Sequence, residues 1–171
     1  MLVAALNAGD ASAFDALYYR YRDWTVRLAH RLTGNPDDAL DVLQETFTYI
    51  FHKFPGFVLT ARMTTFLYPV VKNLSIAARQ KRRRLVSDEA MPDAADPSPA
   101  PSELAGDALA TVLANLPEIH REALLMRYVD DMSLAEIAQA LSVPEGTVKS
   151  RLHNAIATLR QDRHVRDLLG E

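Results

Sequence analysis

The chain has 171 residues, of which 49% are hydrophobic and 24% charged, and its formal net charge is −3. This length allows one medium domain or two small ones. Because the chain contains no cysteine, disulfides and thiolate metal sites are excluded, which suits a reducing, cytoplasmic compartment. The apolar start from Met1 to Leu6 lacks a basic leader, and Arg62 and two prolines interrupt the run from Phe54 to Val71. We therefore expect neither a signal peptide nor membrane insertion.

The net charge is unevenly distributed along the chain. Residues 1–85 hold 12 Lys and Arg against 7 Asp and Glu, residues 86–107 hold none against 6, and residues 108–171 hold 7 against 9. The three local net charges are therefore +5, −6 and −2. A protein that is acidic overall can still bind a polyanion if its cations are grouped where the phosphates lie.

The sequence of residues 1–85 predicts three helices. The first runs from about Ser12 to Thr33 and is stopped by Gly34-Asn35. Its apolar positions follow three-and-four spacing at Phe14, Leu17, Tyr18, Tyr21, Thr25, Leu28 and Leu32. Asn35 as a cap, Pro36 at the first position and two acids in the first turn open the second helix. We expect its buried stripe to comprise Leu40, Leu43, Phe47, Ile50, Phe51 and Phe54, and its other face to carry Asp38, Asp41, Glu45 and Thr48.

The third helix runs into a cluster of cations. Its inward positions are Phe66, Leu67, Val70, Val71, Leu74 and Ala78, and the cations that follow are Arg79, Lys81, Arg82, Arg83 and Arg84. We expect Pro69 to kink this helix or delay its start, because proline removes a backbone hydrogen bond. The five cations repel one another, and three alternatives remain for them: contact with nucleic acid, a solvated helix end, where cations favour the dipole, or the first residues of a flexible tether.

An acidic linker is expected to separate two helical units. Residues 86–107 contain Pro92, Pro97, Pro99, Pro101, six acids and few large apolar residues, a composition typical of an extended tether. The sequence therefore predicts an all-α protein with an N-terminal domain over residues 1–85, a linker over 86–107 and a second helical domain over 108–171.

Within the second unit, residues 133–152 have the sequence pattern of a helix-turn-helix. Ser133 and Glu136 form an S-x-x-E capping box, and Met132 and Ile137 occupy the positions of a hydrophobic staple. The first helix carries Leu134, Ile137, Ala138 and Leu141 inward. Ala138 matters because two helices that cross through a short turn need a small side chain where their backbones approach.

The second helix of this motif leaves a polar face outward. Ser142-Val143 makes the turn, and Pro144 is expected at the first helical position, where its missing N–H costs nothing. The inward positions are Val148, Leu152, Ala155 and Leu159. The side chains left outward or flanking that face are Thr147, Lys149, Ser150, Arg151, His153 and Asn154. This combination favours DNA binding, and the alternative is an ordinary helical hairpin with a solvated face.

Both units together resemble an extracytoplasmic-function sigma factor, the small two-domain class of the sigma-70 family, over about Gly9 to Arg160. The N-terminal resemblance lies in residues 38–47 (DALDVLQETF), 66–68 (FLY) and 72–74 (KNL). The C-terminal resemblance lies in residues 116–117 (LP), Arg121, residues 134–141 and residues 146–152 (GTVKSRL). The resemblance implies a non-catalytic initiation subunit that binds core RNA polymerase and promoter DNA, with an anti-sigma factor as the expected regulator.

The resemblance also implies a role for each group of candidate residues. The group that would bind the clamp helices of the polymerase largest subunit is Asp41, Gln44, Glu45 and Phe47, with Phe47 supporting the face from the core. The loop from about Pro55 to Met63 and the start of the third helix would meet the upstream edge of the minus-ten element, where a flipped non-template base is captured. Asn73 would face that DNA. The residues that would hold its phosphates are Arg79, Lys81, Arg82, Arg83 and Arg84.

The minus-thirty-five element would be contacted by Lys149, Ser150, His153 and Asn154, with Thr147 and Arg151 nearer the backbone. The acidic residues from Asp88 to Asp107 are hypothesised to lie in a basic channel from which the growing transcript displaces them.

No pattern predicts catalysis, a cofactor or a metal. The five histidines, His30, His52, His120, His153 and His164, lack zinc-type spacing, and no glycine-rich phosphate loop is present. We therefore expect a protein that is not an enzyme. Two alternatives to a sigma factor remain: a stand-alone helix-turn-helix regulator with an N-terminal partner-binding module, and an adaptor that kept the fold but lost DNA contact.

Overall fold

The structure is a computed structural model that describes residues 2–54, 56–89 and 107–161. The described residues form eight α-helices and no strand, which confirms the predicted all-α fold class: α1 (Leu2–Asn7), α2 (Ala11–Thr33), α3 (Pro36–Lys53), α4 (Met63–Glu89), α5 (Asp107–Ala114), α6 (Glu118–Tyr128), α7 (Leu134–Leu141) and α8 (Glu145–Gln161). The chain divides into two compact units, Met1–Pro99 and Ala100–Glu171.

In the N-terminal unit, α2, α3 and α4 pack against one another and α1 packs on α2. Local chemistry sets the boundaries between the helices. Asp10 caps α2, Gly34 ends it with a φ of 66°, and the Asn35 side chain accepts a hydrogen bond from the Asp38 amide at 2.9 Å to start α3. The predicted stop at Gly34-Asn35 and the predicted cap with Pro36 at the first position are therefore confirmed.

Helix α3 buries four of the six residues predicted for its inward stripe. The predicted core residues Leu43, Phe47, Ile50 and Phe54 are buried, but Leu40 is 53% exposed and Phe51 is 62% exposed. The expected burial of these two residues is wrong. The inward positions near Leu40 are instead Ala39 and Val42, at 0% and 1% exposure.

Helix α4 starts at Met63 and contains Pro69 within its length. Of the two outcomes expected of Pro69, a kink or a late start, the late start is therefore wrong, and the kink stays a prediction. Proline fits here with the loss of one backbone bond, since it has no N–H to donate to the Thr65 carbonyl one turn earlier. The helix continues to Glu89 and so extends four residues beyond Leu85 into the segment that the composition predicts as linker. Residues 90–106 of that predicted linker lie outside the described residues.

In the C-terminal unit, α6 and α7 both pack against α8. The described core includes Met126, Met132, Ile137, Val148 and Ala155, each fully shielded from solvent. Pro144 was predicted to be the first residue of α8. It instead directly precedes the helix, which begins at Glu145, so that prediction is wrong. Its carbonyl accepts the first helical hydrogen bonds, from the amides of Thr147 at 2.9 Å and Val148 at 3.3 Å, so it acts as the capping residue.

Candidate nucleic-acid and partner interfaces

Local hydrogen bonds fix both ends of α7. At its start, the Ser133 amide donates to Glu136 Oε2 at 2.7 Å and the Glu136 amide donates to Ser133 Oγ at 3.3 Å, which confirms the predicted capping box. At its end, Ser142 adopts a φ of 54° and the Val143 amide donates to the Ala138 carbonyl at 3.0 Å. This is a Schellman motif with serine at the position that glycine usually takes. The turn that leads into α8 is therefore defined on both sides.

Helix α8 presents the predicted polar face to solvent. Val148, Leu152 and Ala155 are buried, and the exposed candidates on the opposite side are Lys149, Ser150, His153 and Asn154, with Thr147 and Arg151 half-buried beside them. The four exposed side chains follow helical spacing, so they lie on one surface. Lysine can donate to guanine O6 and N7, and asparagine can pair with adenine through two hydrogen bonds. The arrangement is suited to reading base edges in a major groove.

Helix α3 presents a surface of mixed chemistry, which we call the α3 face. Its exposed residues are Leu40, Asp41, Gln44, Glu45, Thr48 and Phe51. Aspartate and glutamate can pair with basic groups on a partner, and the two large apolar side chains add surface that gains free energy when it is buried. Exposed apolar groups beside charged ones are typical of a protein-binding surface.

Phe47 lies beneath the α3 face and is only 5% exposed. Its ring contacts Tyr18 with centroids 4.9 Å apart and Phe14 with centroids 6.3 Å apart, both edge to face. Phe14 in turn contacts the exposed ring of Phe51 at 5.5 Å. The aromatic chain from Tyr18 through Phe47 and Phe14 thus holds Phe51 in place, and Phe47 supports the α3 face without reaching its surface.

The cations at the end of α4 do not share one environment. Lys81, Arg83 and Arg84 are exposed and Arg79 is half-buried. Arg82 instead turns back to the junction of α2 and α3, where its Nη1 lies 2.8 Å from Asp38 Oδ2 and its Nη2 donates to the Thr33 carbonyl at 3.2 Å. The phosphate role predicted for all five cations therefore has a competing partner at Arg82.

The segment between α3 and α4 lies beside a surface cavity of about 400 Å³. The cavity is lined by side chains of α1, α2, the segment and α4: Leu2, Val3, Leu17, Arg20, Tyr21, Leu59, Arg62, Met63 and Thr64. It combines apolar walls with two guanidinium groups and a phenol. A pocket of this chemistry can stack a planar ring and donate hydrogen bonds to its edge. Asn73, on the following turns of α4, is exposed.

The described residues contain neither a metal-ligand cluster nor a membrane-spanning helix. Across residues 2–54, 56–89 and 107–161, no three His, Asp or Glu side chains are grouped so as to hold a metal ion. In the same ranges, no helix has the length and apolar character needed to cross a membrane.

Sequence patterns missed some of the residues at these surfaces. Leu40 and Phe51 were assigned to the core because they stand three or four residues from core positions, and that spacing alone cannot place the centre of a stripe. Arg20 and Arg62, which line the cavity, stand in separate elements with no motif to join them. The partners of Arg82 are 44 and 49 residues away in the chain, a distance at which local patterns carry no signal.

Two family profiles match the sequence: Sigma-70 region 2 over residues 17–85 and Sigma-70 region 4 over residues 106–159. The ECF RNA polymerase sigma factor SigL of Mycobacterium tuberculosis is 33% identical over 164 residues, which cover 92% of this chain and 93% of SigL. The ECF RNA polymerase sigma factor SigW of Bacillus subtilis is 29% identical over 185 residues, which cover 97% of this chain and 96% of SigW.

Two solved structures share the fold. CnrH, solved in complex with the cytosolic domain of CnrY, has a TM-score of 0.68 at 21% identity and covers 99% of this chain and 95% of its own. The sigma factor RpoE from Bartonella quintana, solved with the anti-sigma factor NepR, has a TM-score of 0.64 at 23% identity. The match covers 92% of this chain and 96% of the RpoE chain. With the fold, both profiles and the identity to SigL in agreement, the chain belongs to the family of ECF RNA polymerase sigma factors.

Proposed function

We propose that this sigma factor directs promoter-specific transcription initiation through three of its surfaces: the α3 face, the end of α4 with the segment before it, and the polar face of α8. It acts as a non-catalytic subunit, so the chemistry of RNA synthesis belongs to core RNA polymerase. Its place of action is then the cytoplasm, where the polymerase meets DNA. The proposed units are the N-terminal domain over residues 1–85, the linker over 86–107 and the C-terminal domain over 108–171.

The α3 face binds core polymerase in this proposal. Asp41, Gln44 and Glu45 are exposed together on it, and they offer acceptors to a basic partner helix. Charged groups of this kind steer association and fix register, whereas the buried apolar area at the centre supplies most of the affinity. Leu40 and Phe51 provide that area, and Phe47 contributes by supporting Phe51.

The N-terminal unit also contacts the minus-ten element. Lys81, Arg83, Arg84 and Arg79 hold phosphates, which fixes the register of the DNA but does not read its sequence. Asn73 faces the same strand. A base flipped from the non-template strand enters the cavity beside Leu59 and Arg62, where stacking and edge hydrogen bonds offset an unstacking cost of a few kcal/mol.

The C-terminal unit reads the minus-thirty-five element through Lys149, Ser150, His153 and Asn154. Thr147 and Arg151 lie nearer the phosphates. Each good bidentate pair between a side chain and a base is worth about 1–3 kcal/mol of discrimination, so changing Asn154 should alter preference at one base pair.

An anti-sigma factor is the proposed regulator. RpoE, which shares this fold, was solved bound to an anti-sigma factor. A protein that covers Leu40 and Phe51 on the α3 face would compete with the polymerase for the same surface. Bound in this way, it would hold the sigma factor inactive.

The observation that carries the proposal is the pairing, on one chain, of a capped helix-turn-helix with a separate helical unit that has its own mixed protein-binding face. The decisive experiment is run-off transcription with purified core polymerase on a library of genomic promoter fragments. We expect starts at a defined set of promoters that share two elements, with weak binding by the chain alone. Tight sequence-specific binding by the isolated chain without new starts would support the stand-alone regulator instead.

The salt dependence of DNA binding distinguishes a sigma factor from an adaptor that has lost DNA contact. A DNA-contacting chain in its polymerase complex gives a binding constant that falls with salt, with a log-log slope of about −0.9 for each neutralised phosphate of duplex DNA. Replacing Arg151, which lies nearer the phosphates in this proposal, by alanine should reduce that slope by about one. A complex whose slope is the same with and without this sigma factor would rule out DNA contact by it.

A further inference from the structure

The side chain of Asn7 fastens the segment that joins α3 to α4. Its Oδ1 accepts hydrogen bonds from the Gly56 amide at 2.8 Å and the Phe57 amide at 3.0 Å, and its Nδ2 donates to the Phe57 carbonyl at 2.7 Å. The amide orientation is fixed by these partners, since two N–H groups require the oxygen and a carbonyl requires the nitrogen. One side chain thus bonds three backbone groups that lie about 50 residues later in the chain.

Asn7 is itself held in place by the way α1 ends. Gly9 has a φ of 78°, its amide donates to the Leu6 carbonyl at 3.0 Å, and the Asp10 amide donates to the Ala5 carbonyl at 3.0 Å. This is a complete Schellman motif. Leu6 is 5% exposed and belongs to the same core cluster as Phe54 and Met63. The last residue of α1 therefore has a fixed position relative to the segment that it binds.

The segment is held at both ends and partly exposed between them. At one end, the ring of Phe57 contacts Phe54 with centroids 5.4 Å apart and Phe66 with centroids 4.6 Å apart. At the other end, Met63 is 5% exposed at the start of α4. Between them Val58 is 75% exposed. With its ends fixed, a stretch of five residues has few conformations left.

We propose that Asn7 is a positioning residue for minus-ten recognition: it sets the conformation of residues 58–62 so that this stretch meets the DNA in one arrangement. The inference rests on the function proposed above for the segment. It goes beyond that function because α1 lies outside residues 17–85, which the region 2 profile matches. Asn7 touches backbone groups of the segment and acts on DNA only through them.

Asparagine has the chemistry that this position requires. Alanine would remove all three hydrogen bonds. Aspartate would keep the acceptors for the Gly56 and Phe57 amides but would place a second acceptor against the Phe57 carbonyl. We therefore expect the effect of Asn7→Asp to lie between those of the native chain and Asn7→Ala.

A matched control exists in the same unit. Asn35 is also half-buried and also accepts a backbone hydrogen bond through its side chain, from the Asp38 amide at 2.9 Å, but at the start of α3. Asn35→Ala removes a helix cap and lowers stability. It leaves the contacts of the segment with α1 intact, so it separates loss of stability from loss of positioning.

The first measurement is amide hydrogen exchange in the full chain. Asn7→Ala should raise the exchange rates of the Gly56 and Phe57 amides by about tenfold, as expected from the loss of hydrogen bonds of ordinary strength. Asn35→Ala should leave those two rates unchanged. Unchanged rates in Asn7→Ala would show that Asn7 does not order the segment, and the inference would fail.

The second measurement is promoter opening by holoenzyme, with each base tested in turn at the upstream edge of the minus-ten element. Asn7→Ala should slow opening about tenfold and weaken the base preference at that edge. Core binding and preference at the minus-thirty-five element should not change, and Asn35→Ala should retain the native preference at temperatures where it is folded. A general loss of stability would not alter base preference at one edge alone.

Val58→Ala distinguishes failure of this inference from failure of the proposed function. If Val58→Ala alters preference at the minus-ten edge but Asn7→Ala does not, the segment contacts DNA without help from Asn7 and the inference is overturned. If neither variant alters it, the segment has no role there and the proposed function of this surface fails as well. A change in Asn7→Ala supports the inference, and it is further supported if the double variant is no worse than Asn7→Ala alone.

Discussion

Replacing Arg82 by alanine should lower stability rather than DNA binding, in contrast to replacing the exposed Arg84. Its guanidinium lies 2.8 Å from the Asp38 carboxylate and also donates to the Thr33 carbonyl at 3.2 Å. Thr33 is the last residue of α2, and its carbonyl has no helical partner there. Arg82 therefore caps one helix and pairs with the first turn of the next.

The size of the effect follows from the exposure of the pair. The Arg82 side chain is 40% exposed and that of Asp38 is 18% exposed, so water screens the arginine more than the aspartate. A fully exposed pair contributes about 0–1 kcal/mol, and hydrogen bonds to charged groups contribute about 1.5–3 kcal/mol. Between these limits we expect Arg82→Ala to lower the free energy of unfolding by about 1 kcal/mol. For a unit of this size that is a fall in Tm of about 4–8 °C.

The assay exploits the single tryptophan of the chain. Trp24 lies in α2, so its fluorescence follows unfolding of the N-terminal unit. The control is Arg84→Ala, because Arg84 is exposed in the same run of cations. We expect it to change stability by less than about 0.5 kcal/mol but to reduce the salt slope of holoenzyme binding to promoter DNA by about one. If Arg82→Ala left Tm unchanged and reduced the slope as Arg84→Ala does, the intramolecular role would be refuted.

Three further predictions follow from single contacts. Phe51→Ala should weaken binding to core polymerase about tenfold with little effect on stability, whereas Tyr19→Ala, a similarly exposed aromatic on α2, should not; equal affinities in a core-binding titration would contradict the proposed α3 face. Ser142→Gly should stabilise the C-terminal unit by about 0.5 kcal/mol in urea unfolding, because relief of left-handed strain exceeds the extra entropy of the unfolded glycine, and a loss of stability would show that the serine is unstrained. The Ser12 hydroxyl and amide lower the pKa of Asp10 below its ordinary value of 3.8, so the cap is stabilising above that value and is lost as the pH falls through the folded-state pKa. Asp10→Asn should remove this part of the acid dependence of the Trp24 signal below about pH 4, and an identical pH profile would contradict the assignment.

Elements governed by neighbouring residues were predictable from the sequence. The Asn35 cap, the Gly34 stop and the Ser133–Glu136 capping box each depend on groups within four positions of one another, and the structure contains all three. The outward face of α8 was also predictable, because Val148, Leu152 and Ala155 define the buried side over about two turns. Short-range chemistry of this kind needs no knowledge of the rest of the fold.

Features that depend on packing were less predictable. The spacing predicts Leu40 inward on α3, whereas the structure buries Ala39, because spacing alone does not say which of two neighbouring positions faces the other helices. The sequence predicts that Pro69 kinks α4 or delays its start, but six residues precede it in the helix, which loses only the one backbone bond that the proline cannot make. The partners of Asn7 and Arg82 are set by the tertiary structure, and no local pattern indicates them.

These two long-range contacts hold the two ends of α3. Arg82 ties the first turn of α3 to α4 through Asp38, and Asn7 ties the residues just after α3 to α1 through Gly56 and Phe57. The α3 face lies between these ties, while the cations of α4 and residues 58–62 lie beside them. Because packed elements with two fixed ends move together, docking of the α3 face on polymerase also sets the position of both proposed minus-ten contacts. Loosening the Asn7 tie should therefore disturb promoter opening more than it disturbs polymerase binding, since the α3 face itself stays intact, whereas loosening the Arg82 tie lowers the stability of the N-terminal unit.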